Sequence, residues 1–363
     1  MRNKGESIMN KFNLKKGDKV AIVSLSSGIL GETFVKHEVE LGIKRLKEFG
    51  LVPIFMKNSL KGIEYLNNHP EARAEDLKQA FVDKDIKMII TAIGGDDTYR
   101  TIPYLMEDEE FIKAVKENKK IFTGFSDTTI NHLMLNKLGL STFYGPAFLV
   151  DIAELDKDML SYTKSYFLKY FGDNDEIEIK SSPVWYDDRK SYDKTQLGIP
   201  RVLHKETHGY ETLNGHGVVV GKLYGGCIDS IYDILTGERY NEEDKIFEKY
   251  NLLPSIEEWK EKILFLETSQ ETPSPEKLKM FLLELKKRGI LDSVKGLLIG
   301  KPMDEIFYDE YKKVYKDFFK DSNLPIMYNI NFGHAVPRCF LEYNATAIVD
   351  YDKKTIKIKS CKL

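Results

Sequence analysis

A serine hydroxyl attacks a carbonyl only when a base takes its proton and a third group holds that base in the right tautomer. The residues to weigh are therefore serines, histidines and carboxylates that stand where an apolar run stops. Ser126 is one of them. In Lys120-Ile121-Phe122-Thr123-Gly124-Phe125-Ser126-Asp127-Thr128-Thr129 a short apolar run ends at a Gly-x-Ser turn and a helical pattern follows at once, the place where α/β enzymes expose a nucleophile. The match is partial, because Thr128 occupies the position two residues on where the usual elbow has glycine. The plain alternative is that Ser126 or Asp127 caps the helix that starts here.

Seven histidines compete for the role of base. His37 and His69 fall among polar neighbours, His204 and His208 in an irregular stretch, and His132 lies six residues along the predicted helix, where it points away from the turn and reads as packing. His216 and His334 remain, each beside glycine. His334 follows the apolar segment Pro325 to Ile330 in a Gly-His-x-x-Pro loop; a turn histidine bonding its own loop is the competing reading. Among carboxylates Glu267 stands out, since it ends the run Ile263-Leu264-Phe265-Leu266 and a charge at the mouth of a buried strand needs a partner. Gly94-Gly95-Asp96-Asp97 follows another apolar run, and two glycines there can leave backbone N–H groups facing an oxyanion. Asp96 or Asp97 is expected as a helix cap rather than a metal ligand. Gly225-Gly226 before Cys227 reads as a strand-to-helix turn without phosphate-loop spacing.

These residues need a scaffold that presents strand ends. From Val20 to Tyr144, short β-branched runs alternate with helical periodicity, the signature of βαβ units around a parallel sheet. Strands are expected at Val20 to Leu25, Leu51 to Met56, Met88 to Ile93 and Ile121 to Thr123, with helices at Thr33 to Phe49, Pro70 to Phe81, Ile102 to Asn118 and Thr128 to Leu138. Ser26, Gly94, Gly95 and Ser126 all fall at the carboxyl ends where open sheets bind ligands. Residues 150–175 look helical. A polar, irregular stretch over 174–209 reads as a linker, and a mixed α/β half follows with strands at Gly217 to Val220, Ile263 to Leu266, Val294 to Ile299 and Ala345 to Asp350, and helices at Ile228 to Leu235 and Pro275 to Arg288. The expected division is a tail over 1–12, an N-terminal α/β domain over 13–173, the linker, and a C-terminal domain over 210–363.

Composition narrows the function classes. The 54 basic and 57 acidic residues of this 363-residue chain leave a formal charge of -3, too weak a field to concentrate nucleic acid or a membrane surface. Cys227, Cys339 and Cys361 never form a Cys-x-x-Cys or Cys/His cluster, which argues against a disulfide framework or structural zinc. The first ten residues are polar and charged, unlike a signal peptide, and no run approaches a membrane span. The expectation is a cytoplasmic protein with no metal and no cofactor.

Taken together, Gly94-Gly95-Asp96-Asp97, Gly124-Phe125-Ser126-Asp127-Thr128-Thr129, Phe143-Tyr144-Gly145-Pro146, Leu213-Asn214-Gly215-His216-Gly217, Gly225-Gly226-Cys227, Phe265-Leu266-Glu267-Thr268-Ser269 and Phe332-Gly333-His334 resemble the serine peptidase family of bacterial LD-carboxypeptidases and the microcin C self-immunity protein. The resemblance implies a Ser-Glu-His triad on Ser126, Glu267 and His334. It also implies an oxyanion hole from Asp127 with the Gly94-Gly95 turn, a Rossmann-like or flavodoxin-like N-terminal domain, and a homodimer. The Gly-Gly-Asp-Asp form is similar to the self-immunity branch, in which Trp185 would stack on a nucleobase while Asn214 and Asp96 line the pocket. Two substrates follow from it: a peptide-nucleotide or aminoacyl-sulfamoyl-adenosine conjugate, or the terminal D-alanine amide of a murein tetrapeptide, whose carboxylate would pair with Arg100, Arg189 or Arg338. A binding protein without turnover is the non-enzymatic rival.

Overall fold

Buried β-branched runs in the first half pair side by side, and in the computed structural model, which describes residues 13–172 and 175–361, they build a six-stranded sheet. Its order is Leu341–Glu342, Phe143–Tyr144, Ile121–Gly124, Ile86–Thr91, Lys19–Val23 and Val52–Phe55. All neighbours run parallel except the first pair. The order among the N-terminal strands reverses between Lys19–Val23 and Ile86–Thr91, the flavodoxin-like arrangement, and that reversal opens a crevice at the carboxyl ends. Ile121–Gly124 is buried along its whole length, as expected for a parallel strand covered on both faces.

The second sheet has eight strands in the order Glu176–Ile179, Thr355–Lys359, Thr346–Asp350, Val218–Cys227, Lys262–Glu267, Gly296–Gly300, Ile326–Ile330 and Glu211–Asn214. Its four central strands are parallel, and the flanking pairs are antiparallel. The fold is therefore α/β with a parallel sheet in the first half and a mixed one in the second. The buried apolar side chains of both halves form one continuous cluster, from Leu14 to Ile358.

Several expected elements shift. The stretch 174–209 carries Glu176–Ile179, which pairs with Thr355–Lys359, and a hairpin of Val184–Tyr186 with Leu203–Lys205. The partner of the first strand lies some 180 residues on, so no turn signal announces it. Gly225 and Gly226 sit inside the strand Val218–Cys227, opposite Phe265 and Leu266, and the helix Ile228–Thr236 begins directly after it. In the stretch expected as helical over 150–175, the described residues form a π-helical turn at Phe148–Ile152, the helix Ser161–Phe167 and a 3-10 turn at Leu168–Phe171. The expected tail 1–12 lies outside the described residues. Among the described residues no helix is long and apolar enough to cross a membrane.

Candidate active site

The turn at Ser126 is strained. Its φ of 65° lies in the left-handed region that non-glycine residues avoid, which throws the side chain outward at the sheet's carboxyl edge. Gly94 makes room for it: a Cβ there would lie 2.7 Å from Ser126 Cβ. The Ser126 N–H donates to Tyr144 Oη at 3.0 Å, and Tyr144 in turn donates to Glu267 Oε1 at 2.5 Å. The other carboxylate oxygen, Oε2, accepts from His334 Nδ1 at 2.8 Å and from the His334 N–H at 3.1 Å. A carboxylate can only accept, so the Nδ1 proton points at Glu267 and Nε2 is left as the basic nitrogen. Gly333 permits this approach, since its φ is 70° and a Cβ would stand 2.2 Å from the Glu267 side chain. Phe125 packs edge-on against the His334 ring with centroids 5.0 Å apart.

Ser126 and His334 line one cavity of about 670 Å³ together with Gly94 and Gly95, and its walls include Phe34, Leu149 and Arg338. Among the described residues, neither the Gly95 nor the Asp127 N–H donates to a protein acceptor. Both are available to a charge developing beside Ser126. Asp127 occupies the cap position of the helix Thr128–Lys137 but makes no cap bond; its carboxylate accepts from the Thr98 N–H at 2.9 Å. Burial pushes that carboxyl up to about 6. Asp97 does not cap either, because it pairs with the fully buried Arg73 at 2.5 and 2.9 Å. Arg73 also donates to the Leu25 and Ser26 carbonyls, which ties the first strand's loop to the glycine turn.

His132 is a packing residue: one ring nitrogen faces the Gly124 carbonyl and the other the Thr142 hydroxyl. Burial lowers its pKa to about 3. His216 is exposed. Asn214, expected in the pocket, donates to the Ser322 and Leu324 carbonyls and pairs with Ile326, at the far end of the strand that leads to His334. The Gly-rich motif around it is a turn at the wrong end of the sheet. Trp185 stands outside the cavity lining, with His204 stacked on its ring at 4.0 Å and the Lys301 ammonium 5.1 Å from it. Of the three arginines, Arg100 bonds Asp97 and the Asn67 carbonyl, Arg189 pairs with Glu154, and Arg338 lines the cavity beside the Phe125 ring while pairing with Asp151 at 3.5 Å.

Tyr144 escaped sequence reasoning, although its motif Phe143-Tyr144-Gly145-Pro146 was in view; a tyrosine in a buried strand reads as core. Cys227 was missed as well. Its thiol, with one ligand atom each of Glu267 and His334, makes the single three-ligand grouping within 4.8 Å among the described residues. Burial, then the charge of Glu267, holds that thiol well above its usual pKa, so it packs there as a neutral group.

A second, acid-lined crevice meets the first at Ser126, Gly95 and Gln270. Glu243, only 3% exposed, lines it. Burial, then the charges of Asp233 and Asp127, push its carboxyl up to about 8. The unfolded chain loses this proton near the ordinary value of 4.5, so stability falls as pH rises through that window and levels off above it. Glu243→Gln removes the titration. Its thermal stability should match the parent near pH 5 and exceed it by a few degrees near about pH 8; an unchanged difference across the window would show Glu243 ionised throughout.

A serine on a strained turn after a strand of the parallel sheet, sharing a cavity with a histidine held by a buried glutamate, belongs with the serine peptidases as a class. The chain is a member of the LD-carboxypeptidase family, matching its N-terminal domain over residues 20–145 and its C-terminal domain over 220–349. An MccF-like protein from Streptococcus pneumoniae, whose crystal structure is a complex with AMP, is 51% identical, with a TM-score of 0.90 over 94% of this chain and 98% of its own. The microcin C7 self-immunity protein MccF of Escherichia coli is 25% identical over 95% of this chain and 94% of its own. A structure of microcin C7 self-immunity protein MccF in complex with aspartyl sulfamoyl adenosine shares the fold at 22% identity, with a TM-score of 0.79 over 97% and 99% of the two chains.

Proposed function

We propose that this peptidase hydrolyses the amide of peptide-nucleotide or aminoacyl-sulfamoyl-adenosine conjugates with Ser126 as nucleophile, His334 as base and Glu267 as the group that orients it. The observation that carries the reading is the contact of 2.8 Å between His334 Nδ1 and Glu267 on the wall of the cavity that Ser126 also lines. Ser126 Oγ attacks the carbonyl carbon as Nε2 takes its proton, and the oxyanion forms against the N–H groups of Asp127 and Gly95. The imidazolium then protonates the leaving nitrogen, the C–N bond breaks, and an acyl-enzyme remains on Ser126. Water attacks the ester by the same base, releasing the acid and restoring the hydroxyl. The homodimer and the cytoplasmic setting implied above belong to this reading.

The substrate class draws support from the nucleotide in the half-identical pneumococcal relative and the aspartyl sulfamoyl adenosine in MccF. The cavity's apolar walls are suited to a nucleoside. Arg338 favours a second reading, the murein tetrapeptide, because a terminal carboxylate needs a cation within the same cavity. A side-by-side hydrolysis assay decides between them, with faster turnover of the conjugate expected and the reverse order moving the enzyme to murein recycling. Trp185→Ala is expected to weaken conjugate cleavage alone; equal losses on both substrates would remove Trp185 from base recognition and leave the His204 stack as its role.

A further inference from the structure

The crevice on the far side of Ser126 is built from acids. Asp96, Asp127, Asp229, Asp233, Glu243 and Glu271 line it against a single guanidinium, Arg239. Arg239 pairs with Asp233 at 2.9 Å and with Glu271 at 2.8 Å, Ser269 bonds Asp229, and Thr98 bonds Asp127. The exception is Glu243, whose buried Oε2 has no hydrogen-bond partner. A buried carboxylate oxygen without a partner is costly, and here it stands in the wall of a space continuous with the nucleophile. Arg239 is the one cation in that lining, and Asp233 and Glu271 already engage it.

We propose that this crevice takes a cationic group, an ammonium or guanidinium, on the acyl portion of the substrate. The proposal rests on the hydrolase reading above. A substrate cation fits better than a metal ion. Among the described residues the acids of the crevice form no grouping of three ligand atoms within 4.8 Å, so they surround a diffuse charge rather than converge on a point. The space beyond widens into a groove of about 300 Å³ that shares Asp229, Asp233, Arg239 and Glu271 and whose further cation, Lys277, is paired with Glu238, which leaves room for a long basic side chain.

The test uses four sulfamoyl-adenosine conjugates carrying lysyl, leucyl, N-acetyl-leucyl and aspartyl groups, with calorimetric binding to the full-length Ser126→Ala protein and hydrolysis by the parent. Lysyl should bind about tenfold or more tighter than aspartyl. Leucyl against N-acetyl-leucyl reads the α-ammonium, and lysyl against leucyl the side chain. Glu271→Gln, at an exposed position, and Glu243→Gln should each shrink the lysyl-to-aspartyl gap. An equal or reversed order, no binding of any conjugate, or a requirement for a divalent cation with no charge preference would overturn the proposal. Hydrolysis of all four without preference removes this inference and leaves the hydrolase; charge-ordered binding without hydrolysis does the opposite.

Discussion

Ser126→Ala is expected to lower the turnover of the preferred conjugate by about four to six orders of magnitude, while the fold and ground-state binding survive. The hydroxyl is the one atom the reaction cannot replace, and its removal leaves the backbone donors and the cavity in place. The left-handed φ of Ser126 sharpens the control. Alanine keeps the same backbone cost, whereas glycine at this position removes it, so Ser126→Gly should be equally inactive and more stable by about 1 kcal/mol. Single-turnover hydrolysis and a thermal melt measure both. Near-normal hydrolysis by Ser126→Ala would move the nucleophile elsewhere.

Glu267→Gln should cost about three to four orders of magnitude. The carboxylate accepts on both oxygens: Tyr144 donates to Oε1, and the His334 N–H and Nδ1–H converge on Oε2. An amide has one oxygen and one NH2, so either the Tyr144 hydroxyl must turn from donor to acceptor or the NH2 meets the two His334 donors. If the NH2 faces His334, the ring adopts the other tautomer and Nε2 carries a proton toward Ser126 instead of accepting one. Loss of the charge also removes the partner of the imidazolium. The kcat of the variant across pH reads this, and in the Ser126→Ala background the same change should add almost nothing, because the residues act as a unit. A loss below about tenfold would reduce Glu267 to a structural strand-end acid.

Ser126, Glu267 and His334 stand out because each follows an apolar run, and the carboxyl ends of parallel strands in the two sheets bring them to one place. The same logic misplaced Asn214. Its glycine turn marks a strand end as clearly as the others, but nothing local says which end of the sheet it occupies. Asp97 and Asp127 have the residue type and spacing of helix caps, yet a buried guanidinium at Arg73 and the Thr98 N–H claim them, and these partners lie 24 and 29 residues away. The helix Tyr308–Phe318 was overlooked although Tyr308, Tyr311 and Tyr315 face the core at helical spacing. The edge strand Glu176–Ile179 could not be paired with Thr355–Lys359 from local pattern, since their contact is set by tertiary closure.

The two-residue strand Leu341–Glu342 comes from the end of the chain yet completes the sheet that holds Ser126, pairing with Phe143–Tyr144. Its neighbour Tyr144 reaches Glu267, and the loop just before it carries His334. On a ribosome Phe143–Tyr144, the neighbour of the strand that leads to Ser126, is therefore made early and waits with one edge unpaired for nearly two hundred residues of further synthesis. Ser126, Glu267 and His334 come together only when the late strands return to the first sheet, so a nascent or truncated chain carries the serine without its neighbours.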